Sequence, residues 1–169
     1  MSKIGIFYGS TTGNTQTVAE KINKELAGKE VNTIDVSSSN AGELKDYDLL
    51  ILGSSTWGIG DLQDDWESFI NELKSSEIEE KNVAIFGCGD SGMYPDSFCD
   101  AIGTIYTIVN DKNCKVVGFV DKDDYSYSDS TAVIDNSFVG LPVDDSMNEN
   151  ETNENIKNWV AQVLKECKL

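Results

Sequence analysis

FYGSTTGNTQT, Phe7–Thr17, decides the fold. An apolar run ends in Gly9, and five hydroxyls (Ser10, Thr11, Thr12, Thr15 and Thr17) follow within eight positions, together with Gly13 and Asn14 but no lysine or arginine. A strand that turns directly into a helix through small polar residues is the first turn of a doubly wound α/β sheet, where ligands lie beyond the carboxyl ends of the strands. The first helical amides lack internal partners and carry partial positive charge, so Ser10, Thr11, Thr12, Asn14 and Thr15 are candidates to surround an anion, with Gly13 allowing close backbone approach. An ordinary helix cap needs only one such hydroxyl. A nucleoside triphosphatase loop requires G-x-x-x-x-G-K-[ST] and a dinucleotide fold requires G-x-G-x-x-G; neither pattern is present. The site suits a terminal phosphate monoester held by neutral donors.

Further apolar runs recur at Val31–Val36, Leu49–Leu52, Val83–Phe86 and Val116–Val120, after a first at Ile4–Tyr8. The third to fifth are nearly continuous, as in strands covered on both faces. Helical stripes lie between and after them: Val18, Ile22 and Leu26; Leu62, Trp66, Phe69, Ile70 and Leu73; Phe98, Ala101, Ile102, Ile105 and Val109; and Ile156, Trp159, Val160, Val163 and Leu164. The third stripe contains TIYTIV, whose β-branched residues favour a strand, but its spacing and the need to cover the sheet predict a helix. The connection SSSNAGELKDY carries no clear period. The pattern predicts one domain over 1–169, an α/β doubly wound three-layer sandwich on a five-stranded parallel sheet. The segment Asp121–Ser137, DKDDYSYSDSTAVIDNS, reads as an insertion interrupting the last strand.

Composition narrows the function. With 13 basic and 30 acidic residues, the net charge is -17, which argues against nucleic acid and anionic membrane as partners and favours basic ones. The chain has no histidine, and its four cysteines (Cys88, Cys99, Cys114 and Cys167) form no C-x-x-C pair, which removes most zinc and triad chemistry. The opening MSKIGIFYGS holds too short an apolar run for a signal peptide or a membrane span, so a reducing cytoplasm is the expected compartment.

Two further loops follow strands. GSSTWGIGDLQDDW places Trp57 between small residues, and FGCGDSGMYPDSF presents Tyr94. Large aromatics at strand ends suit a planar ring held between them.

These three segments resemble flavodoxins of the long-chain type. The family's phosphate motif [ST]-x-T-G-x-T is matched by Ser10–Thr15, its tryptophan loop by Thr56–Gly60 and its tyrosine loop by Gly87–Tyr94. The resemblance covers essentially the whole chain and implies strand order 2-1-3-4-5 and one noncovalent FMN, with its ring between Trp57 and Tyr94. It implies cofactor contacts from Ser55, Thr56, Gly58, Ile59 and Gly60 in the first loop and from Cys88, Gly89 and Asp90 in the second, with Cys99 nearby. Cys99 offers no side-chain amide, so its contact would be through backbone. Asp145 or Ser146 would approach the ribityl chain, and the peptide after Gly58 would turn its carbonyl toward the ring. The implied role is a low-potential electron carrier, a monomer without substrate turnover, exchanging electrons with a flavodoxin/ferredoxin reductase and low-potential oxidoreductases. Asp61, Asp64, Asp65, Glu67 and Asp90 would oppose further negative charge on the ring. An FMN-dependent reductase would need a nicotinamide pocket that Tyr94 should obstruct, and a receiver domain would need an acidic pair after the first strand.

Overall fold

The computed structural model describes residues 2–169. In chain order the main elements are β1 (Lys3–Gly9), α1 (Asn14–Glu25), β2 (Glu30–Asp35), β3 (Leu49–Trp57), α2 (Asp64–Ser75), β4 (Asn82–Gly89), α3 (Asp100–Asp111), β5 (Lys115–Val117), β6 (Leu141–Asp144) and α4 (Glu149–Cys167). Within the sheet, β2, β1, β3 and β4 run parallel in that spatial order. The place beyond β4 is shared: β5 pairs with Asn82–Ala84 and β6 with Phe86–Gly89. Counting that shared place once gives the expected order 2-1-3-4-5.

Strand residues alternate between two apolar layers. Ile4, Ile6 and Tyr8 of β1, Leu49 and Ile51 of β3, and Ala84, Phe86 and Cys88 of β4 face α1 and α4, against Val18, Ile22, Ile156, Trp159 and Val163. Phe7, Leu50, Leu52, Val83 and Ile85 face α2 and α3, against Trp66, Phe69, Leu73, Ile102 and Ile105. Both faces are covered, so each central strand reads as a continuous apolar run, while edge strand β2 is only half-buried.

TIYTIV is helical in α3, where Ile102, Ile105, Ile108 and Val109 bury one stripe against the sheet. Packing overrides the β-branched preference there. The segment between β2 and β3 forms two short 3-10 turns, Val36–Ser38 and Ala41–Asp46, each opened by a side chain: Asp35 accepts from the Ser37 amide and Asn40 from the Gly42 amide.

The chain leaves the sheet after Val117 and returns at Leu141. The excursion holds a small antiparallel ladder in which Ser137–Phe138 pairs with both Val120–Asp121 and Val133–Ile134. Tyr127 stacks on Phe98 with ring centroids 5.8 Å apart, and the Tyr125 hydroxyl donates to the Pro142 carbonyl at 2.8 Å. The excursion therefore braces the segment that follows the Tyr94 loop. No helix among the described residues is long and apolar enough to cross a membrane.

Candidate functional site

The loop between β1 and α1 leaves the helix end open. Gly13 adopts φ 91°, the left-handed region open to glycine at low cost, and no side chain caps α1. The first backbone bond runs from Thr17 N–H to Gly13 O at 3.0 Å, so the amides of Asn14, Thr15 and Gln16 have no partner within the helix. By contrast, Gln63 caps α2 and Asn148 caps α4. The first turn of α1 contains no acidic residue, and its Thr15 hydroxyl is buried without a hydrogen-bond partner. Open amides, a buried orphan hydroxyl and a first turn with no acidic residue of its own together fit an anion.

Within the loop, Ser10 Oγ accepts from the Gly13 amide at 3.0 Å and Thr11 Oγ1 accepts from Gln63 Nε2 at 3.1 Å. Thr12 and Asn14 line a cavity of about 250 Å³ together with Ser55, Thr56, Trp57, Gly58, Cys88, Gly89, Asp90, Tyr94 and Asp145. Three loops at the carboxyl ends of β1, β3 and β4 thus meet at one cleft, with the end of β6 beside them.

Trp57 and Tyr94 both line this cleft and remain 41% and 51% exposed. Large rings left half in water beside a cavity offer apolar walls to a planar ligand. Each is held: Trp57 Nε1 donates to Ser55 Oγ at 2.8 Å, and the Tyr94 amide donates to the Asp90 carbonyl at 2.8 Å. Thr56 Oγ1 accepts the Ala101 amide at 3.1 Å, which ties the tryptophan loop to the start of α3. Gly58 has φ 53°.

Other candidates lie around the cleft rather than in its wall. Ile59 is 93% exposed and points away, and Gly60 packs beside Asp100. Cys99 is fully buried behind Gly89, its Sγ 3.6 Å from the Gly87 carbonyl. Burial pushes the Cys88 thiol up to about 12 and drives Cys99 well above the usual thiol range. Both therefore stay protonated at neutral pH. They belong to opposite apolar layers of the sheet.

Two supporting residues carry no functional signal in the sequence. Gln63 is unusual as a helix cap, for which shorter side chains are preferred. Asp144, in the turn-like stretch VDDS, accepts from the Ser91 amide and hydroxyl at 3.1 and 2.5 Å and from the Ser146 amide and hydroxyl at 3.0 and 2.8 Å. It holds the tyrosine loop to β6. Both act through other side chains, so no pattern of spacing marks them.

Charge is distributed in one direction. The stretches 46–73, 82–111 and 123–156 contain no lysine but 20 aspartates and glutamates, and the chain has no arginine. Asp90 and Asp145 line the cleft itself. Asp145 Oδ1 accepts from Asn14 Nδ2 at 2.6 Å, and desolvation raises its carboxyl above the ordinary range, an effect the Asn14 bond partly offsets while Asp90 and Asp144 add to it.

Comparison with known proteins gives one consistent result. The family described as Flavodoxin matches residues 6–159. A flavodoxin of Synechococcus elongatus is 40% identical over 98% of each chain, and one of a Nostoc species is 43% identical over 97% of this chain and 96% of its own. The crystal structure of Fusobacterium nucleatum flavodoxin bound to flavin mononucleotide superposes with a TM-score of 0.93 at 30% identity, covering 98% of this chain and 99% of that one.

Proposed function

This chain belongs to the flavodoxin family, and from that premise we propose that it carries one noncovalent FMN in the cleft and passes single electrons between other redox proteins. When bound, FMN supplies the one- and two-electron chemistry, and the chain supplies position and field.

Ser10–Thr15 and the open end of α1 hold the phosphate, and a helix end contributes about 0.3–1 kcal/mol to such an anion at an exposed site and up to about 2 kcal/mol when partly buried. The Thr15 hydroxyl gains the partner it lacks. Trp57 and Tyr94 would flank the ring and exclude water, with Ser55, Thr56 and Gly58 on one side and Cys88, Gly89 and Asp90 on the other, while Ile59 and Gly60 complete the turn that carries Trp57. Cys99 supports Gly89 from behind. Asp145 and Asn14 fix one another between the phosphate end and the cleft wall.

Without a lysine in any of these loops, the site resists added negative charge. That makes the reduced carrier a strong electron donor. The same acidic face steers basic-faced partners such as reductases and low-potential oxidoreductases toward the cleft. A carrier of this kind turns over no substrate itself.

The observation that carries the reading is the buried, unpartnered Thr15 hydroxyl beneath an uncapped helix end, in one cleft with two half-exposed aromatic rings. The test is a visible absorption spectrum of the purified protein and a titration of its apoprotein into FMN, followed by flavin fluorescence. Yellow protein and quenched fluorescence are expected. A colourless protein that leaves FMN fluorescence unchanged refutes the proposal, and rapid reduction by NADPH without an added reductase would make it an enzyme instead.

A further inference from the structure

Gln63 lies just before α2, 1% exposed, and every polar atom of its carboxamide is engaged. Nε2 donates to Thr11 Oγ1 at 3.1 Å and to Asp65 Oδ2 at 2.8 Å. Oε1 accepts the amides of Asp65 at 3.1 Å and Trp66 at 3.4 Å, and the backbone amide of Gln63 donates to Ser54 Oγ at 3.2 Å. The neighbouring carboxylate of Asp65 fixes which end is the amide nitrogen, since a carbonyl there would face another acceptor. Gly9 makes room: a Cβ at that position would collide with Oε1 and with the Trp66 ring.

Cap and clamp are separate tasks of one side chain. The oxygen ends the helix, while the nitrogen reaches from α2 to the hydroxyl of a loop residue 52 positions earlier. Because Thr11 Oγ1 accepts from Gln63, its own proton is directed elsewhere. We propose that Gln63 is a positioning residue that fixes the Ser10–Thr15 loop in its anion-holding shape and leaves the Thr11 hydroxyl as a donor toward a phosphate monoester. This rests on the FMN reading above.

In an Asp65→Asn background, where residue 65 offers an amide in place of the carboxylate that Nε2 meets at 2.8 Å, Gln63→Glu separates the tasks, because a carboxylate still accepts the backbone amides of residues 65 and 66 but no longer donates to Thr11. The apoproteins of the natural chain, of Asp65→Asn, and of Gln63→Glu, Thr11→Val and the two together in the Asp65→Asn background are titrated with FMN and with riboflavin, which lacks the phosphate. Loss of one hydrogen bond predicts about fivefold weaker FMN binding for Thr11→Val. Gln63→Glu should lose about tenfold, since it also brings a charge toward the anion, and the double variant should match Gln63→Glu. Riboflavin affinity should change less than about twofold in each, given that its ring end is untouched. Equal losses for FMN and riboflavin, or losses that multiply in the double variant, would overturn the proposal and leave Gln63 as a helix cap only.

Hydrogen exchange on the apoproteins reads the clamp without any flavin. Faster exchange at Ser10–Thr15 in Gln63→Glu, with α2 protected as before, supports it; an unchanged loop overturns it. A natural chain that binds neither flavin would defeat the FMN reading, and exchange would then decide the clamp alone.

Discussion

Replacing Asp90 and Asp145 by asparagine, singly and together, measures how far the cleft's own charge sets the electron-donating strength of the protein. The substitutions are close to isosteric and keep the contacts. Asp90 Oδ1 accepts from the Gly92 and Met93 amides at 2.9 and 3.1 Å, and Asp145 Oδ1 accepts from Asn14 at 2.6 Å; an asparagine oxygen can do the same. Both side chains line the cleft, and a unit charge about 8 Å from an added electron, at an effective dielectric of about 40, opposes it by about 1 kcal/mol. That corresponds to about 40 mV per charge for a one-electron step. Spectroelectrochemical titration of the FMN-loaded protein should show the more negative midpoint potential rising by about 40 mV in each single variant and about 80 mV in the double variant at low ionic strength, with smaller shifts at high salt because mobile ions screen exposed charges. Glu80→Gln serves as the control, since Glu80 precedes β4 at the opposite end of the sheet and pairs with Lys115. A double variant whose potential does not move, or a control that moves as far, would refute the assignment of the low potential to the cleft's carboxylates.

Thr15→Val removes a buried hydroxyl that lacks a partner in the apoprotein, so the apoprotein should gain about 1 kcal/mol in urea denaturation while FMN binds more weakly; loss of both would show that the hydroxyl already has a structural partner. Burial raises all four thiols, Cys114 and Cys167 to about 11, Cys88 to about 12 and Cys99 well above its usual range. Alkylation at mildly alkaline pH should therefore leave the native chain nearly unlabelled, reach Cys114 and Cys167 first as pH rises, and modify all four in urea; early labelling of Cys88 would contradict this. Desolvation raises the Asp145 carboxyl in the fold. Its contribution thus favours folding below its unfolded value of about 4 and is lost as pH rises through the native value. The stability of Asp145→Asn apoprotein relative to the natural chain should accordingly increase from acid toward neutral pH, and a gap that closes instead would reverse the sign of the shift.

The central strands were legible because a sheet covered on both faces demands unbroken apolar runs, as at Leu49–Leu52 and Val83–Phe86. The fifth place in the sheet was harder. The run Val116–Val120 is cut by Gly118 at φ 81°, so only Lys115–Val117 joins β4, and the upper half of that edge comes from Leu141–Asp144 after the excursion. Hydropathy shows that both segments are buried but not which ladder each joins. The cleft was legible where residues face it directly: Thr12, Asn14, Trp57, Gly58, Asp90 and Tyr94 all line it. Ile59, equally prominent in the sequence, points to solvent, because a glycine on each side lets the chain turn twice within three residues.

The missing cation connects the two ends of the cleft. A lysine in the Ser10–Thr15 loop would strengthen the hold on a phosphate dianion, but its field would reach the ring as well and favour added electrons there. Neutral amides and hydroxyls act over a shorter range, since a dipole's field falls off faster than a charge's. They can grip the phosphate while contributing little at the ring, where Asp90 and Asp145 then dominate. The binding strength given up at the tail must come from shape, and shape in a loop of small residues depends on what braces it. Gln63 from α2, Asn14 with Asp145, and Ser10 with Gly13 supply that bracing through three independent hydrogen bonds. Introducing Thr12→Lys should therefore tighten FMN binding and raise the more negative midpoint potential together. If affinity rose with no change in potential, the two ends of the site would be electrostatically separate, and the absence of lysine from the loops would need another explanation.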